Sequence, residues 1–118
     1  MYIEIEQLLG RVIDRIHNTD EEIYFYCNNG RTFRMFHQQD CCEAVSVEDI
    51  VGDLDDLIGT PIILAEERSQ ADSAADESGT WTFYELRTIK GSVTIRWYGS
   101  SNGYYSEEVT IDEVIDGK

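Results

Sequence analysis

Lysine and arginine are scarce in this chain: nine in all, against 24 aspartates and glutamates, for a formal net charge of −15. A surface of that sign repels DNA, RNA and anionic membranes over about 8 Å at physiological salt, so direct nucleic-acid or membrane binding is excluded as the working reading. Long apolar runs are missing as well. Stretches such as "TPIILA" are far too short to cross a bilayer. "MYIEIEQLLG" carries glutamates where a secretory signal would carry positive charge, so the expected location is cytoplasmic. Cysteine occurs three times, as Cys27, Cys41 and Cys42. An odd count with two adjacent members is no disulfide scaffold, and neighbouring cysteines rarely pair without backbone strain. Reduced thiols are the expectation. No Walker, dinucleotide or Gly-x-Ser-x-Gly pattern is present, and carboxylates are too numerous for one pair to stand out for acid–base work.

What is present suffices for one core. At 118 residues with 42% apolar content, the chain reads as a single domain over 1–118. "RVIDRIHN", "IYFYC" and "RTFRMFHQ" are dense in β-formers, with "NNG" as a turn between the last two, and together predict a three-stranded meander. "PIILAEE", "TWTFYELRT", "SVTIRWYG" and "YYSEEVTI" add strands joined in part by "IKG" and "SSNG". Between them "RSQADSAADESG", residues 68–79, lacks any large apolar side chain and reads as a mobile surface loop. In "SVEDIVGDLDDLIG", Val47, Ile50, Val51, Leu54 and Ile58 fall on one helical stripe, with Ser46 as N-cap and Gly59 and Pro61 as terminators. The expected fold is therefore α+β: a twisted antiparallel sheet of about six or seven strands with one main helix over about 47–58.

Charge is unevenly spread. No Lys or Arg lies between Arg34 and Arg68, a span that holds nine carboxylates. The plain reading is solubility. The sharper one is that acids such as Asp53, Asp55 and Asp56 imitate a phosphate backbone and occupy the basic groove of another protein.

Two blocks carry the candidate chemistry. "HQQDCCE" offers His37, Gln39, Asp40, Cys41 and Glu43. Adjacent cysteines on an extended chain point to opposite faces, so a four-ligand metal site is not formed locally, and no metal is expected. A His37–Cys41 nucleophile pair needs a turn at "QQD" that nothing in the sequence fixes. The plain alternative is a bend that re-enters the core through one cysteine. "RWYGSSNGYYS" offers Arg96, Trp97, Asn102, Tyr104 and Tyr105, a cation and aromatic faces that could stack a planar base and pair with a phosphate. Its plain alternative is a cross-strand aromatic ladder with Arg96 laid flat upon it.

These two blocks together resemble a family of small phage and prophage proteins known mainly as a domain of unknown function, DUF7448. The resemblance covers about half of the chain. It implies a phage-borne accessory protein acting inside an infected bacterium, and it assigns no catalytic residue and no cofactor. Three functions follow for testing. The first is a non-catalytic sponge for a small nucleotide immune signal of cyclic nucleotide or cyclic ADP-ribose type, with dimers or larger homo-oligomers pooling arginines. The second is an acidic decoy for a basic host defence protein, such as a CRISPR or nuclease component. The third is a small Cys/His hydrolase or metal protein.

Overall fold

The computed structural model describes residues 2–115. Eight strands form two antiparallel sheets. The first contains β1 (Ile13–Asn18), β2 (Glu22–Cys27), β3 (Thr32–Phe36) and β8 (Thr110–Val114), side by side in that order. The second contains β4 (Ala44–Val51), β5 (Leu64–Ala71), β6 (Ser78–Thr88) and β7 (Gly91–Ser101), in the order β4-β7-β6-β5. The expected meander is β1–β3, and "NNG" turns β2 into β3 through Gly30 at φ +87°. Inward residues alternate with outward ones, as a half-buried strand requires. Ile23, Phe25, Phe33 and Met35 from the first sheet meet Tyr84, Leu86, Val93, Ile95 and Trp97 from the second in one core.

The fold is thus all-β, and the predicted helix does not exist. Residues 44–51 are strand, followed by Gly52 at φ +107° and a single 3₁₀ turn at Leu54–Leu57. The helical stripe has a concrete origin. Val47 faces Trp97 and Ile50 faces Ile95 across the β4–β7 ladder, with a bulge between Val47 and Asp49. One extra residue moves the inward side chains three apart instead of two, which imitates helical spacing. The β-branched run of Val45, Val47, Ile50 and Val51 then favours the strand.

Gly52 closes this strand where its backbone passes β7. A Cβ there would lie 2.6 Å from the Ser92 carbonyl oxygen, in a backbone region that side chains rarely adopt. Gly52→Ala is expected to lose more than about 1 kcal/mol in denaturant unfolding, through the disfavoured φ and the collision together.

Two further expectations change. "RSQADSAADESG" is loop only in its middle half: β5 continues to Ala71, β6 begins at Ser78, and the connection is 72–77. Apolar residues are absent there because β5 is an edge strand, exposed from Glu66 onward. "SSNG" does not close a hairpin either. β7 leads through residues 102–109 into β8, which pairs with β3 in the other sheet.

Candidate functional site

The chain passes from the first sheet to the second through residues 37–43, and returns through residues 102–109. The first sequence block is the outgoing crossover, the second is the end of β7 and the start of the return, and Cys42 and Asn102 line one cleft where they meet. Glu43 is buried, and its carboxylate accepts hydrogen bonds from the Asp40 N–H (2.8 Å), the Cys41 N–H (2.9 Å) and His37 Nε2 (2.7 Å). His37 Nδ1 lies 2.7 Å from the Glu108 carbonyl oxygen in the return crossover. Both ring nitrogens therefore face oxygen atoms, one in each crossover. Gln39 closes the loop by donating to the Cys41 and Glu43 carbonyls.

The cause of the geometry is local. Successive N–H groups at Asp40 and Cys41 form a small anion-binding concavity around the carboxylate three residues downstream. The Cys41 N–H first, then the His37 ring, together with the Asp40 N–H, outweigh the effect of burial and hold the Glu43 carboxyl at about 2. "HQQDCCE" is thus a latch between crossovers. His37 and Cys41 do not form a nucleophile pair, because the imidazole is engaged by Glu43 and Glu108.

Neither adjacent cysteine enters the core. Cys41 and Cys42 are exposed and joined to each other in a vicinal disulfide, where reduced thiols were expected, and the buried free cysteine is Cys27. The bend around Glu43 removes the opposite-face geometry of an extended strand. Among the described residues no three His, Cys, Asp or Glu side chains are placed to hold a metal ion.

"RWYGSSNGYYS" divides by strand parity. Trp97 is fully buried, and its indole Nε1–H points to Met35 Sδ across the sheets, 3.1 Å away. Arg96 faces the other way, over the Trp81 ring at 5.2 Å, with Trp81 and Tyr98 centroids 4.4 Å apart. The aromatic ladder with a flat arginine is therefore present, built by Arg96, Trp81 and Tyr98. Trp81 was absent from the expected site, although the alternation in "TWTFYELRT" puts it on the outer face with Phe83. Asn102 accepts from the Tyr104 N–H in a turn beyond β7, and the Tyr104 ring projects into solvent. Tyr105 is half-buried. Trp97, Arg96 and Tyr104 thus occupy three separate places and do not line one pocket.

A second buried carboxylate was not anticipated. Glu107 packs against Gly99 and accepts from the hydroxyls of Thr80 and Ser101. Burial alone would raise its pKa; the Ser101, Thr80 and Ser78 hydroxyls outweigh that and hold it below the ordinary value. A Cβ on residue 99 would stand 2.9 Å from Glu107 and 3.0 Å from Val45. Gly99→Ala is expected to destabilise by about 1–3 kcal/mol in chemical unfolding, the usual cost of overpacking.

Three clefts open on the surface. One of about 690 Å³ has Cys42, Asp72, Asp76, Tyr98, Ser101 and Asn102 in its wall. A second of about 320 Å³ includes Glu21, Glu22, His37 and Gln39. A third of about 570 Å³ includes Glu4, Asp40, Glu67 and Glu108. Among the described residues no lysine or arginine lines any of the three. The candidate contacts of the acidic face also differ among themselves. Asp53 caps the 3₁₀ turn and, like Asp55, is exposed, whereas Asp56 is half-buried against Gly91.

This architecture defines a small two-sheet β-domain whose crossovers are latched by a histidine–carboxylate contact and whose clefts are acidic. The chain belongs to the family DUF7448, a domain of unknown function, whose model matches residues 6–111. No curated protein matches the chain. No solved structure matches it either. No helix among the described residues is long and apolar enough to cross a membrane.

Proposed function

We propose that this chain is a non-catalytic binding protein that presents carboxylates to a basic partner protein, in the manner of a nucleic-acid decoy. The observation that carries this reading is the use made of the scarce cations. Arg31 pairs with Glu113, Arg34 with Asp112, Arg68 with Glu66 and Glu85, Arg87 with Glu85, and Arg96 with Asp49. Lys90 donates to the Ile58 carbonyl and Arg11 to the Gln7 carbonyl, while Arg15 lies over Tyr26. Each described cation is therefore already engaged within the chain. Acids such as Asp14, Asp20, Glu48, Asp53, Asp55 and Asp76 stay exposed with no basic partner among the described residues. Such a surface favours a cationic protein and disfavours an anion.

The resemblance to phage and prophage proteins extends the reading to a phage-encoded counter-defence protein acting in the host cytoplasm. The partner would then be a nucleic-acid-binding defence component. The test immobilises the chain, passes over it a lysate of a bacterial host carrying such systems, and elutes first with duplex DNA and then with salt. Elution of a basic nucleic-acid-binding protein by DNA supports the decoy. Retention of nothing that DNA can release removes it.

The nucleotide sponge keeps one specific observation in its favour. Arg96 Nε is buried without a hydrogen-bond partner among the described residues, beside the Trp81–Tyr98 platform. A planar base stacked there would be read by Arg96, not by Trp97, Tyr104 or the His37 loop. Thermal unfolding against nucleotides, cyclic nucleotides, ADP-ribose isomers and divalent metals tests it. A ligand at 100 times its Kd would add about 2.7 kcal/mol, lost in Arg96→Ala. A flat panel excludes those ligands.

A further inference from the structure

The outer face of the second sheet differs in charge from the rest of the chain. Cross-strand partners share a face, so the β5–β6, β6–β7 and β4–β7 registers assemble it row by row. One row runs Gln70, Trp81, Tyr98 and Ser46, and the next runs Arg68, Phe83, Arg96 and Asp49. Glu66 and Glu85 follow, and then Arg87. Among the described residues, the ladders thus set three arginines here against three carboxylates, with the bulged Glu48 at the margin. Arg68, Arg87 and Arg96 form ion pairs with these same acids. Almost none of the net charge of −15 is therefore carried by this face. Trp81, Phe83 and Tyr98 are half-buried in its middle. Aromatic side chains with arginine, and without lysine, are the composition of a protein–protein contact.

Charge and area choose the occupant. A second copy carries the same −15, so two copies repel where acidic edges and crossovers meet, and approach most readily where each is neutral. The outer face of the first sheet is also near neutral, with Arg15 and Arg34 against Glu22 and Asp112. Its arginines, however, already lie over Tyr26 and Phe36. It is also too small. Its strands are five or six residues long, against eight to eleven in the second sheet. Four strands about 4.8 Å apart, rising about 3.4 Å per residue, cover roughly 600 Å² on the second sheet and roughly 350 Å² on the first. Two copies of the larger face would bury roughly 1,200 Å², enough for a specific interface, whereas two of the smaller would bury roughly 700 Å² and fall short.

We propose that two copies of this chain pair through the outer faces of their second sheets, about a two-fold axis running along the strands between β6 and β7. A closed two-fold contact is the commonest form of self-association. This axis lays β6 of one copy over β7 of the other, and β5 over β4. The central row then matches itself: Arg68 meets the second copy's Asp49, and Arg96 meets the second copy's Phe83. Trp81 meets the second copy's Tyr98. The acidic edges and crossovers stay outside the contact, so the pair is compatible with the acidic-partner reading and does not depend on it.

Sedimentation equilibrium of the full chain over a concentration series tests the pair. The mass should rise from 13.5 kDa to twice that value. Added salt should tighten the association, because it screens the repulsion between two acidic copies while the matched faces are neutral. Phe83→Glu should weaken it at least about 100-fold. Arg68→Glu and Asp49→Arg should each weaken it about ten-fold, and the double variant should recover most of that loss. That exchange tests the axis even if Phe83→Glu does not fold. Tyr24→Ser, on the outer face of the first sheet, should leave the Kd unchanged. A chain that keeps the monomer mass up to about 1 mM overturns the proposal. So does a dimer disrupted by Tyr24→Ser and not by Phe83→Glu, or a double variant weaker than either single one. A monomer stabilised by a nucleotide, with the effect lost in Arg96→Ala, would give the face to that ligand instead. A monomer whose capture of a basic protein fails in Phe83→Glu would give it to that partner.

Discussion

Trp97→Ala should cost about 3–5 kcal/mol, enough to lower Tm by about 15 °C in a domain of this size. Trp97 is the largest fully buried side chain, set on β7 opposite Val47 on one side and Thr82 on the other. Its indole reaches Met35 in the facing sheet, so it fills the space between layers and donates its N–H there. Truncation leaves a cavity bordered by both sheets and removes that contact. Arg96→Ala, one residue away, removes only a cation over Trp81 on the outer face and a 3.5 Å contact with Asp49. It should stay within about 1 kcal/mol of the parent. A Trp97→Ala protein that unfolds like the parent would show that the ring does not pack where the fold puts it. Paired denaturant curves for the two variants make the comparison.

Glu43→Gln should abolish the steepest part of the acid sensitivity. The Glu43 carboxyl sits at about 2 when folded, against an ordinary 4.5. A depressed pKa contributes stability that is fully present above the ordinary value and is lost as pH falls through the folded one. Parent stability should therefore fall between about pH 4.5 and pH 2, and the glutamine variant should start lower and run flatter across that window. The N–H groups of Asp40 and Cys41 lose a charged acceptor, so their hydrogen exchange should accelerate in the variant. An identical slope in parent and variant would mean that Glu43 is not ionised against His37 and those amides.

Tyr84→Phe gives a test of opposite sign. The hydroxyl it deletes has no hydrogen-bond partner among the described residues, so removal should be neutral or stabilising, by up to about 1–2 kcal/mol. A loss of similar size in thermal unfolding would indicate a closed bond to Glu67 instead.

Much of the strand pattern was legible because a half-buried strand shows its faces in alternation. β2, β3, β6 and β7 all display it, and parity along β7 already separates Arg96 and Tyr98 from Ile95 and Trp97. The bulge in β4 broke the alternation by one residue and produced a false helix. The partner of β8 was hidden for another reason: its pairing with β3 joins residues some eighty positions apart, which no local pattern records. At the site, the residue types of "HQQDCCE" marked a special segment, but its chemistry depends on Glu108 in the other crossover. Glu67 and Tyr84 carried no motif, since only the β5–β6 register sets them side by side.

The most direct measurement of the decoy account is a competition on one captured partner. Fluorescently labelled duplex DNA is bound to that protein, and this chain is titrated in while anisotropy is followed at several salt concentrations. The account predicts full displacement of DNA, with a midpoint that rises as salt is added and rises again in an Asp53→Asn, Asp55→Asn variant. DNA that remains bound while the partner is saturated with this chain would contradict it.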